Sequence, residues 1–255
     1  MKNGLCKKAG DDMHIKIASS CVRGIAHKAL DMPCQDYVAS MQEDQRAVIA
    51  LADGAGSRMF SQIGARIATQ TVCKICMEAF DSLFEMQEEV LAHYLSEKIQ
   101  NELHNGTYSL SELSCTLLFY AMDKDRFISG HIGDGMIFRI RNTEVDILSY
   151  PENGVEANQT YFITEEDACK HLRLQKGTVE ARTTILLCSD GSMASLYGMQ
   201  KKEPATAVVK FAEWLNQEDE HSVSMALYNN MEQFFTENSK DDLSIIMLQQ
   251  DIEEQ

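Results

Sequence analysis

Basic residues are scarce in this chain: 23 Lys and Arg stand against 39 Asp and Glu, a formal charge of −16. A field of that sign repels a polyphosphate backbone and an anionic membrane surface, so neither nucleic acid nor lipid headgroups are expected partners. It suits divalent cations, although acidity alone also serves solubility. Proline is rarer still, with three in 255 residues, and no Gly/Ser-rich tract or charge block marks a linker. One domain spanning 1–255 is therefore expected. No stretch approaches the roughly 18 apolar residues of a membrane span, and Met1 to Gly10 has no apolar signal core, so a cytoplasmic location is expected. Also missing are the cysteine spacings of a small secreted domain. The eight cysteines sit mostly inside apolar runs and read as free thiols. Cys73-Lys74-Ile75-Cys76 has redox or zinc spacing, but it lies in an amphipathic helical pattern with no second pair nearby, and reads as core.

What is present is 44% apolar content, enough for a substantial core. His14 to Ser20 alternates polar and apolar residues as a half-buried strand does, and Ala47 to Ala52 is a continuous apolar run like a strand covered on both faces. Two strands are thus expected before the first helix. Ile63, Ile67, Val72, Ile75 and Ala79, then Val90, Leu91, Tyr94, Leu95, Ile99 and Leu103, recur at helical spacing and predict a helical pair. Strand chemistry follows at Cys115 to Ala121, Arg126 to Ile132, Met136 to Ile140 and Glu144 to Leu148, with the spacing of an antiparallel meander. A polar, irregular stretch from Pro151 to Lys176 precedes a strand at Ala181 to Ser189. Helical patterns near Ala205 to Asn216 and Val223 to Phe235 lead to a last strand, Leu243 to Gln249. The order predicts an α+β fold of two antiparallel sheets stacked face to face with helices outside.

Three Asp-Gly pairs stand directly after strand-like segments: Asp53-Gly54, Asp134-Gly135 and Asp190-Gly191. A tight hairpin would explain such a pair. It remains open for Asp134, because strand pattern resumes at once. It fails for Asp53 and Asp190, which lead into a loop and helix. Asp36 before one strand and Asp241-Asp242 before the last complete the series. Carboxylates meeting at one rim would repel unless neutralised, and oxygen-only ligands select hard cations such as Mg²⁺, Mn²⁺ or Ca²⁺. Independent turn aspartates are the competing reading.

The set resembles the metal-dependent protein phosphatases of type 2C, in the right order over almost the whole chain. Ala52-Asp53-Gly54-Ala55-Gly56, Gly133-Asp134-Gly135, Ser189-Asp190-Gly191 and Asp241-Asp242-Leu243-Ser244 match its ordered elements, and Gln35-Asp36 its early Glu-Asp pair. Gly24 to Asp36, with Asn158-Gln159-Thr160, is closest to the bacterial branch. The resemblance implies a four-layer α-β-β-α sandwich and hydrolysis of phosphoserine and phosphothreonine in proteins, with no covalent intermediate, by a hydroxide bridging two Mg²⁺ or Mn²⁺ ions. The phosphoprotein would be a substrate of a serine/threonine kinase. Asp53 would bridge the ions and the Gly54 carbonyl complete the first. Asp190 and Asp241 would hold the second, Asp36 would act through metal-bound water, and Asp134 with Asp190 matches a third, weaker position. Residues 151–176 correspond to the family's flap. No Cys-x₅-Arg sequence offers a cysteine nucleophile instead.

Three departures bear on activity. Ala55 stands where many relatives carry His, a proposed general acid, and Gln35 replaces Glu. The phosphate-gripping Arg has no aligned counterpart, so His27 and Arg23 are the nearest candidates for phosphate contact, with Arg58 behind them. A catalytically weak or inactive module that binds metal or phosphoprotein in a regulatory role is the alternative these departures favour.

Overall fold

The computed structural model describes residues 13–152 and 160–252. In chain order its elements are β1 (Met13–Val22), α1 (Ile25–Ala29), β2 (Tyr37–Glu43), β3 (Arg46–Ala52), α2 (Ser61–Glu85), α3 (Glu88–His104), β4 (Leu117–Asp123), β5 (Arg126–Ile132), β6 (Met136–Arg141) and β7 (Glu144–Ser149). There follow α4 (Ala168–His171), β8 (Arg173–Thr178), β9 (Thr183–Cys188), α5 (Asp190–Leu196), a short ribbon of β10 (Tyr197–Gly198) and β11 (Glu203–Pro204), α6 (Thr206–Gln217), α7 (Glu220–Phe234) and β12 (Leu243–Ile252). Two five-stranded sheets result, ordered β1-β12-β9-β6-β7 and β2-β3-β4-β5-β8, with every pairing antiparallel.

Alternation along the strands builds the layers. On β3, Ala47, Ile49 and Leu51 face the other sheet while Val48, Ala50 and Ala52 face α2 and α3. That is why its sequence is apolar without interruption. β9 and β12 divide likewise. Ile185, Leu187, Ile246 and Leu248 enter the space between the sheets, and Leu186, Cys188, Ile245 and Met247 pack under α6 and α7. Cys73 and Cys76 are buried on the sheet-facing side of α2, as core. The seven described cysteines are free.

Three expectations are corrected. The meander is broken: β4 pairs with β5 and β6 with β7, but β5 and β6 belong to different sheets. The chain changes sheets through Gly133-Asp134-Gly135, so this Asp-Gly pair is a crossover and not a hairpin turn. Second, three strands and the five-residue α1 precede the long helices; α1 is too short to show a helical period. Third, the tail of the irregular stretch is an edge strand. β8 pairs with β5, and Lys176 Nζ donates to the carbonyls of Leu83, Phe84 and Met86 at the end of α2. Residues 153–159 of the flap-like segment, including Asn158 and Gln159, lie outside the described residues.

The crossover depends on Gly133, whose φ of 119° suits glycine and whose Cβ would meet Thr116 at 2.5 Å. Gly133→Ala is therefore expected to destabilise the protein by about 1–3 kcal/mol through backbone strain alone, with the Thr116 clash adding to it. Urea unfolding monitored by circular dichroism measures the loss.

Candidate metal centre

Strand register brings distant aspartates to one rim. Tyr37 pairs with Ala52, so Asp36 and Asp53 lie side by side just past the paired row. In the other sheet Cys188 sits between Met136 and Ile245, and Asp134, Asp190 and Asp241-Asp242 lie a few residues beyond that row. Carboxylate oxygens of Asp53, Asp134 and Asp190 fall within 4.8 Å of one another. Asp36 and Asp241 stand outside this triad, close enough for their charge to bear on Asp53.

The backbone around these groups is tied tightly. Asp53 N–H donates to Thr116 Oγ1 at 2.9 Å, and Thr116 N–H donates to the Asp53 carbonyl at 2.8 Å. Gly54 N–H donates to the Gln35 carbonyl at 3.2 Å, and Ala55 N–H to the Ser114 carbonyl at 2.9 Å. The Gly54 carbonyl accepts no hydrogen bond among the described residues. Glycine after Asp190 has a steric reason: a Cβ on Gly191 would stand 2.2 Å from the Asp242 carbonyl oxygen. The β9 and β12 ends can abut only without it.

Each carboxylate has a distinct setting. Asp36 is buried, and its Oδ2 accepts from Ser244 Oγ at 2.6 Å while Oδ1 is sealed from solvent with no partner. Burial first, then the charge of Asp242, pushes its pKa up to about 7, with the Ser244 hydroxyl opposing the shift. Burial and the charges of Asp36 and Asp190 hold Asp53 well above the usual carboxylate range. Asp190 is pushed up to about 6 by burial and by Asp134, although Gly191 N–H donates to its Oδ1 at 2.5 Å. Thr160 Oγ1 donates to Asp134 Oδ2 at 2.6 Å. Asp241 is exposed and accepts from Asp242 N–H at 2.9 Å.

These residues fit a hard divalent cation. The donor set is all oxygen, the carboxylates are too close to stay charged without a counter-charge, and the sealed Asp36 Oδ1 is an unused acceptor.

Beside the cluster, His27 is buried and its Nδ1 lies 2.8 Å from Asp242 Oδ2. Asp242 also accepts from Gly24 N–H at 2.6 Å and Gln35 N–H at 2.5 Å. Arg23 donates to the Met32 carbonyl at 3.2 Å and lies 4.0 Å from Asp31, so it is turned onto its own loop. Gln35 Nε2 donates to the Arg58 carbonyl at 3.0 Å. The Asp-Asp-Leu-Ser element carried a signal for one ligand only. That Asp242 and Ser244 point inward, to His27 and Asp36, follows from β12 alternation and could have been read there.

The family model for protein phosphatase 2C matches residues 23–233. The chain belongs to the protein phosphatase 2C family. Among curated relatives of this phosphatase is serine/threonine-protein phosphatase 3 of Escherichia coli K12, 26% identical over an alignment of 191 residues that covers 71% of this chain and 75% of that protein. The S. agalactiae serine/threonine phosphatase superposes with a TM-score of 0.64 at 16% identity, over 94% of this chain and 100% of the other. The catalytic domain of the serine threonine phosphatase PstP, solved with two manganese ions, gives 0.59 at 15% identity over 94% and 99%. The α+β sandwich here is the protein phosphatase 2C fold, and no helix among the described residues is long and apolar enough to cross a membrane.

Raised carboxylate pKa values mean the folded, metal-free phosphatase binds more protons than the unfolded chain above about pH 4. Its stability is expected to fall as pH rises from there through about 7. Thermal unfolding in EDTA checks this: the melting temperature should be higher at mildly acidic than at mildly alkaline pH, and saturating Mn²⁺ should remove the difference.

Proposed function

We propose that this member of the family hydrolyses phosphoserine and phosphothreonine in proteins, with Mg²⁺ or Mn²⁺ held by the rim carboxylates. The observation that carries this reading is the packing of Asp53, Asp134 and Asp190 within 4.8 Å beside a sealed, unpartnered Asp36 oxygen. Asp53, the Gly54 carbonyl, Asp190 and Asp241 would hold two ions, Asp36 would act from behind them, and Asp134 with Asp190 would serve a third. When bound, the ions supply positive charge that lowers the pKa of water and neutralises phosphoryl oxygens.

The chain's own residues do the positioning. Ser244 fixes the Asp36 carboxylate, and Thr116 fixes the Asp53 backbone. The residues offered for phosphate contact differ in setting: Arg23 is occupied by Met32 and Asp31, whereas His27 keeps one ring nitrogen without a protein partner among the described residues. Kinase-phosphorylated proteins in the cytoplasm are the proposed substrates, with the segment 151–176 contributing to their choice. Ala55 and Gln35 favour a second reading, a regulatory module of little turnover.

Release of p-nitrophenol from p-nitrophenyl phosphate with and without Mn²⁺ separates the two, the module predicting no metal-dependent release. Asp53→Asn is expected to cut turnover by at least about 10²-fold and to weaken Mn²⁺ binding in calorimetry. Unchanged binding and turnover in that variant would remove the basis of the proposal.

A further inference from the structure

His27 is poised by more than proximity. The Asp242 carboxylate takes N–H groups from Gly24, Gln35 and His27, and two of these come from backbone that can only donate. By that accounting the ring presents Nδ1–H to Asp242 and leaves Nε2 at its other end. Nε2 has no hydrogen-bond partner among the described residues. It faces the loop after Asp53: the point where a Cβ on Gly56 would stand is 4.0 Å from Nε2 and 3.9 Å from Gln35 Oε1. A carboxylate behind one imidazole nitrogen, with the other nitrogen free toward the loop that follows Asp53, is the arrangement that lets a histidine give and regain a proton.

We propose that His27, oriented by Asp242, is the general acid that protonates the departing serine or threonine oxygen, the role left open by Ala55. The inference rests on the phosphatase reading above. Water oxygen forms its bond to phosphorus as the bond from phosphorus to the substrate oxygen breaks. That oxygen leaves with the bonding pair and takes the proton from Nε2. The proton released by the attacking water passes to solvent, and solvent reprotonates the ring. The products are the free hydroxyl and hydrogen phosphate. Asp242 is the charged group in contact with the ring. Arg23 and Lys28 flank it on its own segment, held by Asp31 and by Glu232 of α7, and Lys240 approaches through its carbonyl, which accepts from Ala26 N–H.

The test uses two leaving groups in saturating Mn²⁺. An alkoxide needs a proton to leave, whereas p-nitrophenolate does not. His27→Gln should lower kcat on a phosphothreonine peptide by about 10²-fold and erase the alkaline limb of its pH profile, with a far smaller loss on p-nitrophenyl phosphate. Imidazole should restore part of the peptide activity of His27→Ala. Equal losses on both substrates, or a rise confined to KM, would overturn the assignment. Should the variants fail to fold, judged by Mn²⁺ affinity, the wild-type protein decides: an alkaline limb for the peptide and none for p-nitrophenyl phosphate supports it, and coincident profiles refute it. Wild-type protein inactive on both substrates would instead refute the phosphatase reading.

Discussion

Repulsion among carboxylates at one rim of the sandwich is the constraint on which the rest of this structure depends. Left free, such groups would separate or take up protons, since burial and like charge both disfavour the ionised form. They are held together because the strands that carry them cannot move apart. The apolar layer between the sheets, with Ile49, Leu51, Leu118, Ile137, Leu187 and Ile246, locks the two sheets face to face. Thr116 clamps the Asp53 backbone from both sides, and Gly191 lets the β9 end rest on the β12 start. The core thus stabilises a site that in its metal-free form works against folding.

The adjacent aspartates 241 and 242 show how one residue of chain separates two duties. Side chains alternate at the start of β12, so Asp241 stays exposed at the rim while Asp242 turns inward. Asp242 is nearly sealed, and three N–H groups, from Gly24 just before α1, from His27 within it and from Gln35 before β2, converge on it. It is therefore an internal anchor that fixes both the Gln35-Asp36 backbone and the His27 ring. Breaking it would leave three buried donors unpaired, each costing about 1–3 kcal/mol.

Much of this was legible in the sequence. The double-faced apolar run at 47–52 and the Asp-Gly pairs announced strands whose ends carry chemistry, and register then brought those ends together. The crossover at 133–135 was not legible, because Asp-Gly between two strand patterns is also the favoured hairpin turn and local chemistry does not tell a turn from a change of sheet. β8 was hidden by its composition: Arg173, Gln175 and Lys176 look like loop, and their edge position is set by pairing with β5. Asp134, which the resemblance matches to a third, weaker position, lies with Asp53 and Asp190 in a group whose carboxylate oxygens are within 4.8 Å of one another. Side-chain convergence is a property of three dimensions that motif spacing only hints at.

Electrostatics joins the acidic composition to the proposed activity. A phosphoester dianion approaching Asp36, Asp53, Asp190 and Asp241 meets four carboxylates before any cation is counted. The nearby bases do little to offset them, since Lys28 is paired with Glu232 at 2.7 Å and Arg23 lies by Asp31. Two divalent ions bring as many positive charges as those four carboxylates hold negative ones, which yields neutrality and no attraction. A third ion with Asp134 would leave one net positive charge facing the dianion. The overall charge of −16 is screened beyond about 8 Å at physiological ionic strength, so this local count governs the encounter. On that arithmetic, an ion at the Asp134 position would turn the rim from neutral to attractive, and the hydrogen bond from Thr160 to Asp134 sits on the carboxylate that would make the difference.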